Sequence, residues 1–227
     1  MGHDQGDTAK IQGALVSEIL PVVSEAALGA TVNYLIAVSL ALFVGPVELA
    51  AYRVAMSAFG LPSFVINFAR TSLMRHISPQ RLTPTAWPRT FVGMCGLLGS
   101  VVVIAYVVVV LLPVSWGVAV FGGIWTSVLL IALPTALNRL AASLSVTPMI
   151  LLRVQGVTWP VVRVRIAISL GLLVLAPLTA RSFGADGVLL VEAVGHATAW
   201  LALAVMSRRQ VRSLTPGERA TDPAPPA

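Results

Sequence analysis

The sequence predicts an all-α, polytopic membrane helix bundle with six transmembrane helices and both termini on the cytoplasmic side. Three observations predict it: six long apolar runs, arginines gathered in alternate breaks between them, and a chain that is 57% hydrophobic and only 11% charged. A helix needs about 20 apolar residues to cross a hydrocarbon core of about 30 Å. Only helices or closed barrels can cross, because lipid offers backbone N–H and C=O groups no partner. The runs lack the alternation of polar and apolar residues that marks a barrel strand, so helices are expected.

The runs are centred on residues 24–44, 49–69, 90–112, 122–150, 166–180 and 187–206. The break after the second run carries Arg70, Arg75, Arg81 and Arg89, the break after the fourth carries Arg153, Arg163 and Arg165, and the tail carries Arg208, Arg209 and Arg212. The intervening breaks are nearly bare: Gly45 to Glu48 has no base, Pro113 to Trp116 has no charge, and Arg181 to Gly187 holds one arginine with Asp186. The positive-inside rule then puts both ends in the cytoplasm, as an even number of crossings also requires. The expected location is the cytoplasmic (inner or plasma) membrane. Within the first apolar stretch Glu18 and Pro21 interrupt residues 11–23, which predicts an interfacial or bent helix leading into the first span. Pro134 inside the overlong fourth run predicts a kink.

Three segments follow from this pattern. Residues 1–10 form a polar N-terminal tail without the basic start and apolar core of a signal peptide, residues 11–212 form the six-helix transmembrane domain, and residues 213–227 form a disordered Pro-rich tail. The formal charge of +6 would suggest nucleic acid in a soluble chain. Here the arginines lie at helix ends, so the partner is the lipid bilayer with its anionic headgroups, and no nucleic acid is expected. Cys95 is the sole cysteine and excludes an internal disulfide. It reads as a small buried residue.

Polar residues inside apolar spans are costly and are functional candidates for that reason. Arg139, with Asn138 beside it, is the clearest, lying about 14 residues or about 20 Å of helix from Arg153. It serves either as a structural ion-pair partner or in a cavity. In the second run Arg53, Met56, Ser57, Gly60, Ser63 and Asn67 fall on one helical face. Arg53 is also close enough to Glu48 to snorkel to the outer interface. Glu18, Glu25 and Asn33 share a face of the first run, and Glu25 either titrates in a cavity or stands solvated at the cytoplasmic boundary. Glu192 and His196, four residues apart, form a possible titrating pair or a local hydrogen bond. Gly93, Gly96 and Gly99, and the small residues Ala193, Gly195, Ala197 and Ala199, predict close helix packing.

The sequence lacks a phosphate-binding loop, Cys/His metal spacing, an H-E-x-x-H helix and a G-x-S-x-G elbow. Neither an enzyme, a catalytic residue, a metal nor a cofactor is expected.

Four stretches, in order along the chain, carry a family resemblance. Phe43-Val44-Gly45-Pro46-Val47-Glu48-Leu49-Ala50-Ala51-Tyr52-Arg53-Val54-Ala55 resembles an "LGP-x-x-x-G-x-Y-x-x-A" turn, with Ala51 where glycine is common. Phe121-Gly122-Gly123-Ile124-Trp125 resembles "FG-x-x-W/Y", Leu152-Arg153-Val154-Gln155-Gly156 resembles "L-x-A-x-G", and Phe183-Gly184-Ala185-Asp186-Gly187 resembles "G-x-x-GA-x-G". The ordered set is similar to one six-helix half, with more likeness to the C-terminal half, of a polysaccharide (O-antigen-type) flippase of the multidrug/oligosaccharidyl-lipid/polysaccharide exporter superfamily.

The resemblance implies a half-transporter that pairs with a second six-helix half, as a homodimer or with a separate chain. It implies a lipid-linked glycan as substrate, flipped across the membrane by alternating access. Arg139, Arg70 and Arg53 would meet the pyrophosphate, while Glu25, Asn33 and Asn67 would gate the path or touch sugar. A small-molecule or drug exporter of the same superfamily would share the fold, with a less cationic cavity expected. A non-transporting membrane interaction protein would leave no convergent polar residues in a cavity.

Overall fold

The computed structural model describes residues 4–77 and 82–213, leaving outside that description the side chains of residues 4–19, 21–22, 25–26, 61, 70 and 73–76. Residues 214–227, nearly all of the expected Pro-rich tail, also lie outside it. The described elements are α1 (Asp4–Phe43), α2 (Pro46–Ala58), α3 (Gly60–His76), α4 (Trp87–Leu111), α5 (Val114–Phe121), a 3-10 turn (Gly122–Ile124), α6 (Trp125–Leu130), α7 (Ala132–Val154) and α8 (Trp159–Ser213). All are helical, as the apolar runs require. Among the described residues three helices are long and apolar enough to cross a membrane: α4, α7 and α8. The bent pair Pro46–Ala58 with Pro62–Ala69 makes a fourth when taken as one span, and Ala27–Phe43 and Val114–Leu130 are shorter apolar stretches.

Prolines and glycines decide where the helices stop. Pro46 opens α2 and Pro88 lies in the first turn of α4, positions where a missing N–H leaves nothing unpaired. Pro113 holds Leu112 extended and ends α4. The second run, expected as one span, is broken at Phe59 into α2 and α3, which differ in direction by 44°. Pro62 is the cause, since it cannot donate to the carbonyl of Ala58 and its ring presses on that group. The expected kink at Pro134 falls at Ile131, between α6 and α7. The same chemistry accounts for it, because Pro134 acts on the carbonyl of Leu130. Pro21, by contrast, does not interrupt α1, which runs as one helix through residues 11–23.

The positive-φ residues are Gly45, Gly122, Gly156 and Gly184, and each belongs to one of the four turn motifs. The motifs are therefore backbone punctuation first. Gly184 shows why glycine is required: its φ of 64° interrupts α8, so that the helix is two arms meeting at a bend. A Cβ there would also collide with the Glu48 carboxylate. Glu48 Oε1 accepts a hydrogen bond of 2.7 Å from the Ala185 amide, so the Gly45–Glu48 turn and the 183–187 turn are tied together in space.

Helix α7 stands in the middle, flanked by α8 and α4, and α1 lies against α8. The main core joins Ile36 and Leu40 of α1, Tyr52, Ala55 and Phe59, Trp125 and Val128 of α6, and Ala176, Val188 and Leu189 of α8. A second cluster gathers Leu82, Trp87, Met94, Ile150, Leu151 and Val211 at the opposite end, where Trp87 Nε1 donates to Ser207 Oγ at 2.9 Å. Leu97, Ile104, Val108 and Leu111 of α4 and Leu170, Val174 and Leu178 of α8 remain exposed. So much apolar exterior suits lipid as solvent.

The small residues behave unevenly. A Cβ at Gly93 or Gly96 would meet nothing within 4 Å, so the expected packing role fails there, and of the three only Gly99 touches neighbours, Leu140 and Leu144. Gly195 does let the arms of α8 approach, with Ile168 and Leu172 at 3.3 Å from a built Cβ. Gly117 was not anticipated: a side chain there would overlap the indole of buried Trp125, which also stacks on Phe121.

Candidate functional site

A cavity of about 250 Å³ opens between α1, α2, α7 and both arms of α8. Its polar lining is Asn33 from α1, Asn138 and Arg139 from α7, Arg165 and Ser169 from the first arm of α8, and Glu192 and His196 from the second. Helical geometry explains the convergence. Glu192 and His196 lie one turn apart on one face of their arm, and Gly195 lets the first arm bring Arg165 close.

Glu192 is buried, at 4% exposure, and Asn138 Nδ2 donates to its Oε2 at 2.8 Å. The expected partner of Glu192 was His196; the carboxylate is instead engaged across the helix interface by Asn138, itself buried at 2% exposure. An interhelical bond of this kind satisfies two polar groups that lipid could not. Arg139 is half-buried, and its Nη2 lies 3.2 Å from Met56 Sδ. A thioether is a weak acceptor. Among the described residues the Arg139 Nε is buried with no hydrogen-bond partner. The guanidinium interacts electrostatically with Glu192, Tyr52 and His196 without closing an ion pair among the described residues.

Of the residues anticipated for a substrate path, Arg139, Asn138 and Asn33 come together, with Glu192 and His196 in the same wall. Arg53 and Asn67 are exposed and do not line the cavity. The break at Phe59 accounts for Asn67, which lies on α3 beyond it; on α2 itself Met56 turns to the cavity while Arg53 and Ser57 on either side of it are exposed. The side chains of Glu25 and Arg70 lie outside the described residues.

Arg165 and Tyr52 were missed. Arg165 reads in sequence as one of the basic residues of a loop, yet it lies within α8, which begins at Trp159. The signal was available, since the run 166–180 is short for a crossing and gains its missing turns only if the helix starts earlier. Tyr52, buried in the core of α2, interacts electrostatically with both Glu192 and Arg139.

A second cleft, of about 500 Å³, lies at the tied turns and includes Glu48, Ser127 and Asp186. Asp186 is exposed as a residue, yet its carboxyl loses part of its water shell against the turn and also faces the charge of Glu48, and both effects hold it above the ordinary carboxylate range.

The fold and the site together define a helical bundle, suited to a membrane, around a small charged cavity. No protein-family model, curated protein or solved structure matches the chain.

Proposed function

We propose that this chain is a six-crossing transporter half that moves an anionic, lipid-linked oligosaccharide or polysaccharide precursor across the cytoplasmic membrane by alternating access. The observation that carries the reading is the Arg139 guanidinium, held in a cavity between apolar helices, with the Met56 thioether as its hydrogen-bond contact among the described residues and the Glu192 charge nearby. A guanidinium at membrane depth is expensive unless it has an anion to meet, and its planar fork of donors suits phosphate. Convergent polar groups from α1, α7 and α8 favour transport over the scaffold alternative, for which an apolar interior is expected.

Counting the arms of α8 separately, with α1, the α2–α3 pair, α4 and α6–α7 as one crossing each, gives six. Both termini are then cytoplasmic, beside the arginine-rich breaks. A second half, from another copy or another chain, would complete the enclosure. Proteoliposomes holding this chain with its partner half should move a fluorescent lipid-linked glycan between leaflets, and Arg139→Ala should reduce the rate by about tenfold or more, the loss of one charge-assisted contact. Failure of every pairing to move the glycan removes the reading. Drug efflux that survives Arg139→Ala would point to the small-molecule exporter.

A further inference from the structure

We propose that binding of an anion in this cavity takes up one proton at Glu192, the carboxyl that serves as internal counter-charge to Arg139 while the cavity is empty. The inference rests on the reading of the cavity as an anion site and adds how that site is coupled to protons.

The geometry that carries it is the spacing of three groups. Glu192 is fixed by the bond from Asn138 to Oε2, so its position does not depend on Arg139. Arg139 lies near enough to feel the carboxylate, yet the described residues form no ion pair there, and its Nε is without a partner. The guanidinium therefore keeps donors for an incoming oxyanion. An anion seated on Arg139 would lie beside the Glu192 charge in a space of about 250 Å³. Two negative charges so placed in a partly enclosed space raise each other's cost, and a proton on the carboxyl relieves it. The substrate's charge is fixed, so the proton goes to a group of the protein, and Glu192 is the group whose charge the anion opposes. The step balances: a diester of pyrophosphate enters with its charge, one proton enters with it, and Glu192 passes from carboxylate to neutral acid while still accepting from Asn138.

Other ionisable groups face this carboxyl. Arg139 comes from α7, Tyr52 from α2, and Arg165 and His196 from α8, while Asn33 is the contribution of α1 among the described side chains. His196 is the rival proton acceptor, so it needs its own control.

The test is calorimetric titration of the detergent-solubilised full chain with dimethyl pyrophosphate, one methyl ester on each phosphorus, whose charge is constant between roughly pH 5.5 and 8.5. Repeating the titration in buffers of different ionisation enthalpy counts protons directly. The wild type should take up protons, the count rising toward one per ester at the alkaline side of that interval, and there its affinity should fall by up to about tenfold per pH unit. Glu192→Gln, which retains an acceptor for Asn138, should bind with no proton uptake and an affinity independent of pH. His196→Gln should behave as wild type. Wild-type binding without proton uptake, or proton uptake that survives Glu192→Gln, overturns the inference and leaves the anion site standing. Absence of wild-type binding, or binding unchanged in Arg139→Gln, removes the anion site and the inference with it. The proton count on the wild type decides the matter even if Glu192→Gln does not fold.

Discussion

Helices α4 and α7 pack side by side and have nearly the same length, yet they are built on opposite plans. Helix α4 is the most apolar of the long helices, and only 28% of its apolar window is buried; α7 is the least apolar, and 61% of its window is buried. In water the order would be reversed. In lipid the exterior solvent is itself apolar, so polarity is tolerated only where protein surrounds it. Thr135, Asn138, Ser143, Ser145 and Thr147 of α7 are accordingly buried, while the valines and isoleucine at 103, 104, 107, 108 and 110 of α4 face outward. The comparison puts α7 in the interior of the bundle and α4 at its apolar exterior.

Removing side chains from the two helices should break the symmetry of their lengths first. Leu151 in α7 is fully buried, so Leu151→Ala should destabilise the bundle by about 2–5 kcal/mol. Val108 in α4 is 57% exposed, so Val108→Ala should change stability by about 0.5 kcal/mol or less. Unfolding in detergent measures both, and comparable losses would end the distinction. A smaller effect is expected from Asn138→Leu, which leaves the buried Glu192 carboxyl without its donor and should cost about 1–3 kcal/mol. Adding Glu192→Leu to that variant should restore part of the loss, because no buried polar group is then left unpaired.

The tied turns at the far end of the bundle offer weaker effects. Glu48→Ala deletes the acceptor for the Ala185 amide and should cost about 1 kcal/mol, with Glu48→Gln closer to wild type. Asp186 should give the smallest effect, and its sign is fixed. Its carboxyl is held above 3.8 in the fold, so the folded chain binds more protons than the unfolded chain in the interval above that value. Stability then falls as pH rises through the interval, and Asp186→Asn should flatten this slope in melting curves taken from mildly acidic to neutral pH.

Much of the helical plan was legible in sequence, since apolar run length marks helices wherever lipid is the solvent. Turn positions were legible as well, because Gly45, Gly122, Gly156 and Gly184 need backbone angles that few residues accept. Side-chain partners were less so. The Glu192–His196 spacing allowed a pair, but Asn138 on another helix reaches the carboxylate first, and no local period reports a neighbour 54 residues away. Gly117 against Trp125 was missed because close approach depends on how helices cross, and Arg165 because the helix of the fifth run starts earlier, at Trp159, than its apolar stretch. The face proposed for the second run lost Asn67 at Phe59, since a period extrapolated through Pro62 assumes a helix that the proline does not allow, while Arg53 and Ser57 stand exposed on α2 itself.

If α7 lines a hydrated path while α4 faces lipid, cysteine labelling will separate the two helices. With Cys95 changed to Ser, Ala142→Cys in the cavity wall and Val108→Cys on the outer face of α4 each provide a single thiol. Thiols react with a water-soluble, membrane-impermeant maleimide through the thiolate, which needs water. In proteoliposomes position 142 should be labelled and position 108 hardly at all. Equal labelling of the two, or labelling of position 108 alone, would contradict it.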